Sequence, residues 1–226
     1  MPTAGSRRKA RVGLLGGIGP EATGIFYLSL IAKLQKSGRV QSNTNFPQIV
    51  VNSINAPELV RNTELGAYIR GLKQLDAFGV DFIAMVCNTV HSFYEPLQEQ
   101  IDTPIIDLRR EVRDFLIREE VESAVVLATP TSLQMGLYGD CKVRYYRIES
   151  TEIDALGDAV LNFNSGTEKE KQRTIVERIA HRYTDMGAEL VISGCTEISL
   201  MLEDSKVNKL DTMDLLCEAV ARRCLD

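Results

Sequence analysis

Tryptophan is absent from this chain of 226 residues, histidine occurs only twice, and aromatic side chains make up just 6%. So few rings leave little material for a groove on which nucleic-acid bases stack. A basic excess is missing too. The 26 Lys and Arg against 31 Asp and Glu give a formal charge of −5, which argues against a nucleic-acid partner. A zinc site is poorly supported, because the Cys87-to-His91 spacing has no second pair to complete it. No apolar run reaches the roughly 18–20 residues of a membrane span, so no membrane partner is expected. The five cysteines are odd in number, widely spaced and without a CxxC pair. That pattern predicts reduced thiols in a cytoplasmic protein rather than a disulfide framework. The basic start, SRRK over 6–9, runs into a glycine-rich stretch and then Pro20 and Glu21. This is unlike the apolar stretch and small-residue cleavage site of a signal peptide, so residues 1–9 are read as a frayed tail.

What is present is a 44% hydrophobic, 25% charged chain, enough for one large domain or two small ones. Short apolar runs alternate with helical periodicity. In the first half, strands are expected over 12–16, 48–54, 81–86 and 104–107. Helices are expected over 21–36, 64–78, 88–100 and from 108 to about 120. In the second half, strands are expected over 124–128, 142–146, 189–193 and 207–211, with helices over 132–138, 152–164, 168–186, 197–202 and 213–224. Continuous apolar strands between helices indicate an α/β fold with mainly parallel sheets.

An internal repeat sharpens this reading. GVDFIAMVC over 79–87 and GAELVISGC over 187–195 share one layout: Gly, an acid two positions on, a buried strand, and Cys eight residues after the Gly. Each unit then reaches a short strand ending in Asp, at Asp107 and Asp211. A repeat of this length is too long for a solenoid. It predicts two pseudo-symmetric, open, parallel-sheet lobes with the active site in the cleft between them. The expected division is 1–107 plus 211–226 for the first lobe and 108–210 for the second.

In open parallel sheets, ligands bind beyond the carboxyl ends of the strands. Four segments end there: GGIGPEAT (16–23), CNTVH (87–91), GCTEI (194–198) and ATPTS (128–132). A thiol at such a strand end, ahead of a helix, is expected to have its pKa lowered toward or below neutrality. The alternative is a small buried hydrophobe, but two cysteines at equivalent points of a repeat favour reactive thiols at Cys87 and Cys195. Cys141, Cys217 and Cys224 have no such setting. The Gly17-x-Gly19-x-x-Ala22 pattern is a relaxed dinucleotide fingerprint, but no acid stands about 20 residues on. The segment containing Gly19 and Pro20 is therefore read as a carboxylate cradle. His91, four residues after Cys87, would share a helix face with it and could position the thiol, or be a partly buried structural side chain. His181 is read as a surface residue.

GGIGPEAT, CNTVH and GCTEI, in this order and spacing, resemble the aspartate/glutamate racemase superfamily, and the aspartate racemase branch most closely. The resemblance covers nearly the whole chain. It implies a two-lobed enzyme that uses no pyridoxal phosphate or metal, acts on a small amino acid and forms a homodimer. It implies Cys87 and Cys195 as two bases on opposite faces of one substrate, with His91 and Glu197 in support. Asn88, Thr89, Thr129, Thr131, Ser132 and Thr196 would then join Gly19 and Pro20 in binding substrate, a role compatible with helix capping. Arg61 falls where a basic residue is expected to pair with the side-chain carboxylate of an acidic substrate. A Lys expected near the start of a later helix is replaced by Glu152, Ile153 and Asp154. Two further readings remain open: a related Cys-dependent isomerase or decarboxylase of another carboxylic acid, and a ligand-binding homologue without turnover.

Overall fold

A computed structural model describes residues 9–61, 63–139 and 142–226. Most of the expected tail, and Cys141, lie outside the described residues. Strand β1 (Arg11–Gly16) is followed by α1 (Pro20–Lys36), β2 (Gln48–Ser53), α2 (Gly66–Phe78), β3 (Phe82–Met85), the short α3 (Tyr94–Gln98) and α4 (Leu108–Arg118). The second half runs β4 (Ser123–Ala128), α5 (Pro130–Gln134), β5 (Arg144–Tyr146), α6 (Ser150–Asn164), α7 (Lys169–Asp185), β6 (Leu190–Gly194), α8 (Thr196–Met201), β7 (Lys209–Asp211) and α9 (Thr212–Leu225). No helix among the described residues is long and apolar enough to cross a membrane.

The strands form two all-parallel sheets, β2-β1-β3 and β5-β4-β6-β7. Ile105 adds a single parallel bridge to Ile83 beside β3. Both halves therefore follow one order, as the repeat predicts. The strand expected over 104–107 is a correction: it contributes one bridge only. A second correction concerns the helix expected over 88–100. It is a 3-10 turn, Thr89–Phe93, followed by α3. Pro96 explains the break, since it lacks the N–H that a continuous helix would need there and its ring crowds the preceding turn. The helix expected over 132–138 is displaced to α5, and Gly136 and Tyr138 behind it adopt left-handed backbone, with φ of 67° and 71°.

The period of two along each strand assigns its side chains to separate layers. Val12 and Leu14 of β1 and Ala124 and Val126 of β4 face one central core, shared with α1, α4 and α9. Leu15, Ile83 and Met85 face the opposite way, against α2, and Val125 and Leu127 face α6 and α7. The strands β1, β3, β4 and β6 are thus covered on two sides, which is why they read as apolar runs, while β2, β5 and β7 are partly exposed.

Candidate active site

Each thiol sits just beyond a strand: Cys87 two residues after β3, and Cys195 immediately after β6, at the cap position of α8. Both are buried, and both line one cavity together with Gly19, Thr89, Thr129 and Glu197. That cavity is small, with a volume of about 30 Å³. Larger hollows occur elsewhere, including one of about 450 Å³ beside α4. Neither thiol lines it, so the chemistry rather than the volume selects the site.

The thiols are not activated in this structure, contrary to the sequence expectation. Burial pushes Cys87 up to about 12, opposed only in part by the backbone N–H groups of Val90 and Thr89. Burial pushes Cys195 up as well, reinforced by the nearby Glu197 carboxylate and the charge of Cys87. The dry surroundings outweigh the favourable strand-end placement.

Cys195 Sγ donates to Glu197 Oε2 at 2.9 Å, and Thr196 Oγ1 donates to the same oxygen at 2.7 Å. Glu197 is itself buried, and burial raises its pKa. Gly19 makes room for it: at φ 81°, a Cβ on Gly19 would lie 2.2 Å from Glu197 Oε1. Thr23 fastens this loop, accepting from Gly17 N (3.0 Å) and donating to the Gly19 carbonyl (3.1 Å). On the other side, the hydroxyls of Thr89 and Thr129 stand 3.0 Å apart, and Ser132 Oγ donates to Thr89 Oγ1 at 3.1 Å. Thr129 also caps α5, its Oγ1 accepting from Ser132 N at 3.2 Å.

Asn88 lies fully buried next to Cys87. Its Oδ1 accepts from Tyr138 Oη and from Thr212 Oγ1, the latter at 2.8 Å, while its Nδ2 has no partner among the described residues. Tyr138 and Thr212 carry no sequence signal for this role, apart from the position of Thr212 directly after the repeated Asp211.

Of the expected site residues, Asn88, Ser132 and Thr196 stand behind the lining as neighbours of residues in it, and four more are placed elsewhere. Arg61 Nη2 donates to Asp158 Oδ1 (3.0 Å) and the Asp154 carbonyl (3.4 Å) on α6, and Arg61 does not line the thiol cavity. Thr131 Oγ1 donates to the Val60 carbonyl at 2.9 Å. Pro20 is an exposed first residue of α1. His91, in the 3-10 turn, bonds through Nε2 to the Met85 carbonyl at 3.2 Å rather than to Cys87. Burial holds it down at about 4, so it is neutral.

The chain is 26% identical over 222 residues to the broad specificity amino-acid racemase RacX of Bacillus subtilis (strain 168), covering 92% of this chain and 95% of that protein. Its fold is similar to that of the Picrophilus torridus aspartate racemase, with a TM-score of 0.76 at 19% identity over 95% of this chain and 94% of that one. The glutamate racemase of Francisella tularensis subsp. tularensis SCHU S4, solved with D-glutamate, matches at a TM-score of 0.63 and 14% identity, over 96% and 81%. At these identities the solved structures establish the fold. Residues 15–220 match the family model described as Asp/Glu/Hydantoin racemase, and the chain belongs to that family of isomerases.

Proposed function

We propose that this protein racemises an α-amino acid by two-sided proton transfer between Cys87 and Cys195, with no cofactor. The observation that carries the reading is the shared cavity: two thiols from equivalent strand ends of the two sheets border one small space. One cysteine, as thiolate, takes the Cα proton and becomes a thiol. The thiol opposite gives its proton to the other face of the carbanion and becomes a thiolate. The roles reverse for the other enantiomer.

The reacting carbon is a weak acid, so the developing negative charge on the substrate carboxylate needs fixed donors. The hydroxyls of Thr89 and Thr129 line the cavity, with Asn88 Nδ2, Ser132 and Thr196 beside the lining, and in this reading they turn their donors to the substrate on binding. Glu197 accepts the Cys195 proton, giving a carboxylic acid and a thiolate. The substrate ammonium favours that separation, since a positive charge beside a buried thiol offsets its desolvation. In this reading the lobes divide as 1–107 plus 211–226 and 108–210, and the chain works as a cytoplasmic homodimer.

Incubation with single L- and D-amino acids in D₂O, followed by proton NMR and optical rotation, tests the proposal. Deuterium incorporation at Cα with loss of optical activity is expected. Cys87→Ser and Cys195→Ser should each abolish racemisation, whereas Cys224→Ser, on the closing helix, should retain it. Full activity in either of the first two variants would remove the two-thiol mechanism.

A further inference from the structure

We propose that Thr212 is a positioning residue for the reaction, its single hydroxyl tying the segment that carries Cys87 to the strand that leads to Cys195; this rests on the racemase reading. Thr212 is the first residue of α9 and is fully buried. Its Oγ1 lies 2.8 Å from Asn88 Oδ1 and 2.6 Å from the Ser193 carbonyl oxygen. Asn88 directly follows Cys87, and Ser193 stands two residues before Cys195 on β6. Both oxygens are acceptors, so the one hydroxyl proton is shared between them. The sheet register brings the hydroxyl there: β7 pairs with β6 so that Asp211 stands opposite Ser193, and Thr212 is the next residue along. Asp211 Oδ1, which accepts from Met213 N and Asp214 N, fixes the turn that contains it.

The internal repeat indicates that packing does not ask for a hydroxyl at this point. Asp107 and Asp211 are equivalent, each capping the helix that follows. The residue after Asp107 is Leu108, fully buried in the central core. A hydroxyl at the matching place costs desolvation unless it is bonded. Thr212 offsets that cost with bonds to both halves of the chain. The carbonyl two residues before Cys87, that of Met85, also takes a side-chain bond, but from His91 of its own half, at 3.2 Å.

Two-sided transfer needs both sulfurs at fixed places on opposite faces of one carbon, and small displacements cost rate steeply. Without the Thr212 hydroxyl, the Cys87 segment and β6 lose a shared anchor. One thiolate still removes the Cα proton, but delivery from the opposite thiol falls behind. In D₂O the thiol that took the proton exchanges it for deuterium. It then returns deuterium to the same face, which regenerates the thiolate and the starting enantiomer, now labelled.

The chiral L-amino acids of the standard set are run in D₂O with the intact protein, and the one racemised fastest serves as the probe. Chiral chromatography with mass spectrometry gives the ratio of deuterium in the recovered L-enantiomer to D-enantiomer formed. Thr212→Val and Thr212→Ala should lower racemisation on the order of tenfold and raise that ratio roughly threefold or more. Thr212→Ser, which keeps the hydroxyl, should stay near the intact protein in both. An unchanged ratio in the Val and Ala variants would overturn the inference, because loss of folded protein lowers exchange and inversion together. So would a Thr212→Ser variant that behaves like Thr212→Val, or failure of both hydroxyl-free variants to fold, which assigns the hydroxyl to folding alone. Absence of exchange with every amino acid in the intact protein is a different failure: it removes the racemase reading itself.

Discussion

One tyrosine hydroxyl shows how the candidate site is held together at the scale of single residues. Tyr138 is buried, with its backbone at φ 71° and its Oη on Asn88 Oδ1. Together with Thr212 it occupies the oxygen end of that amide, while Nδ2 has no partner among the described residues. Tyr138→Phe removes one donor while keeping the ring. A single net hydrogen bond is worth about 1 kcal/mol, so kcat/KM should fall roughly five- to tenfold, chiefly through KM, with a small change in melting temperature. Steady-state kinetics of both enantiomers checks this, and an unaltered kcat/KM would show that the hydroxyl does not orient Asn88 for binding. Cys87 and Cys195 are legible in the sequence because strand ends and the Gly-to-Cys spacing are local patterns. Tyr138 is not, because its partner lies 50 residues away. Arg61 illustrates the opposite case: its position along the chain suggests a substrate contact, and its neighbours on α6 take it up.

At the scale of elements, the repeat is a hydrogen-bonding design carried twice. Asp81 accepts from the Arg11 N–H at the start of β1 (2.7 Å), and Glu189 accepts from the Glu122 N–H just before β4 (2.9 Å). Gly79 and Gly187, at φ 79° and 99°, end the preceding helices in the left-handed region where glycine is favoured. Asp107 caps α4, and Asp211 caps α9 by accepting from Met213 N (2.9 Å) and Asp214 N (3.1 Å). Asp211→Ala removes both of these bonds and should cost about 1 kcal/mol, a drop of about 2–4 °C in melting temperature for a domain of this size. Thermal unfolding by circular dichroism gives the measurement, and an unchanged melting point would mean that solvent replaces the cap. These features were readable because caps and turns depend on adjacent residues. The strand expected over 104–107 is reduced to one bridge because its apolar residues serve packing while only Ile105 finds a ladder partner.

The whole molecule sets the protonation of groups that the chain alone would leave ordinary. His91 is held near 4 by burial, against opposing effects from Asp107 and the Met85 carbonyl and with a smaller contribution from Arg109 in the same direction as burial. The folded state therefore binds this proton more weakly than the unfolded chain does. The associated stability is present above the unfolded value of about 6.5 and is lost as pH falls toward 4, in total on the order of 3 kcal/mol. Chemical denaturation across that range should show falling stability, and His91→Gln should flatten the slope. An equal slope in the variant would assign the acid flank to other groups. Long-range ion pairs are likewise a property of the assembled molecule. Glu21 on α1 pairs with Lys169 on α7, and Arg61 with Asp158 on α6, so exposed ion pairs join elements of the two halves.

The chain by itself determined the alternation of strands and helices, the doubled Gly-acid-strand-Cys unit and the position of both thiols at strand ends, all of which follow from periodicity and short-range capping. Only the tertiary structure decided what surrounds those thiols. At Cys87 and Cys195 burial acts first, and the charge of Glu197 adds to it. They raise the pKa values that the strand-end positions alone would have lowered. Local geometry is written in neighbouring residues, whereas a buried group's electrostatics is the sum of everything packed around it.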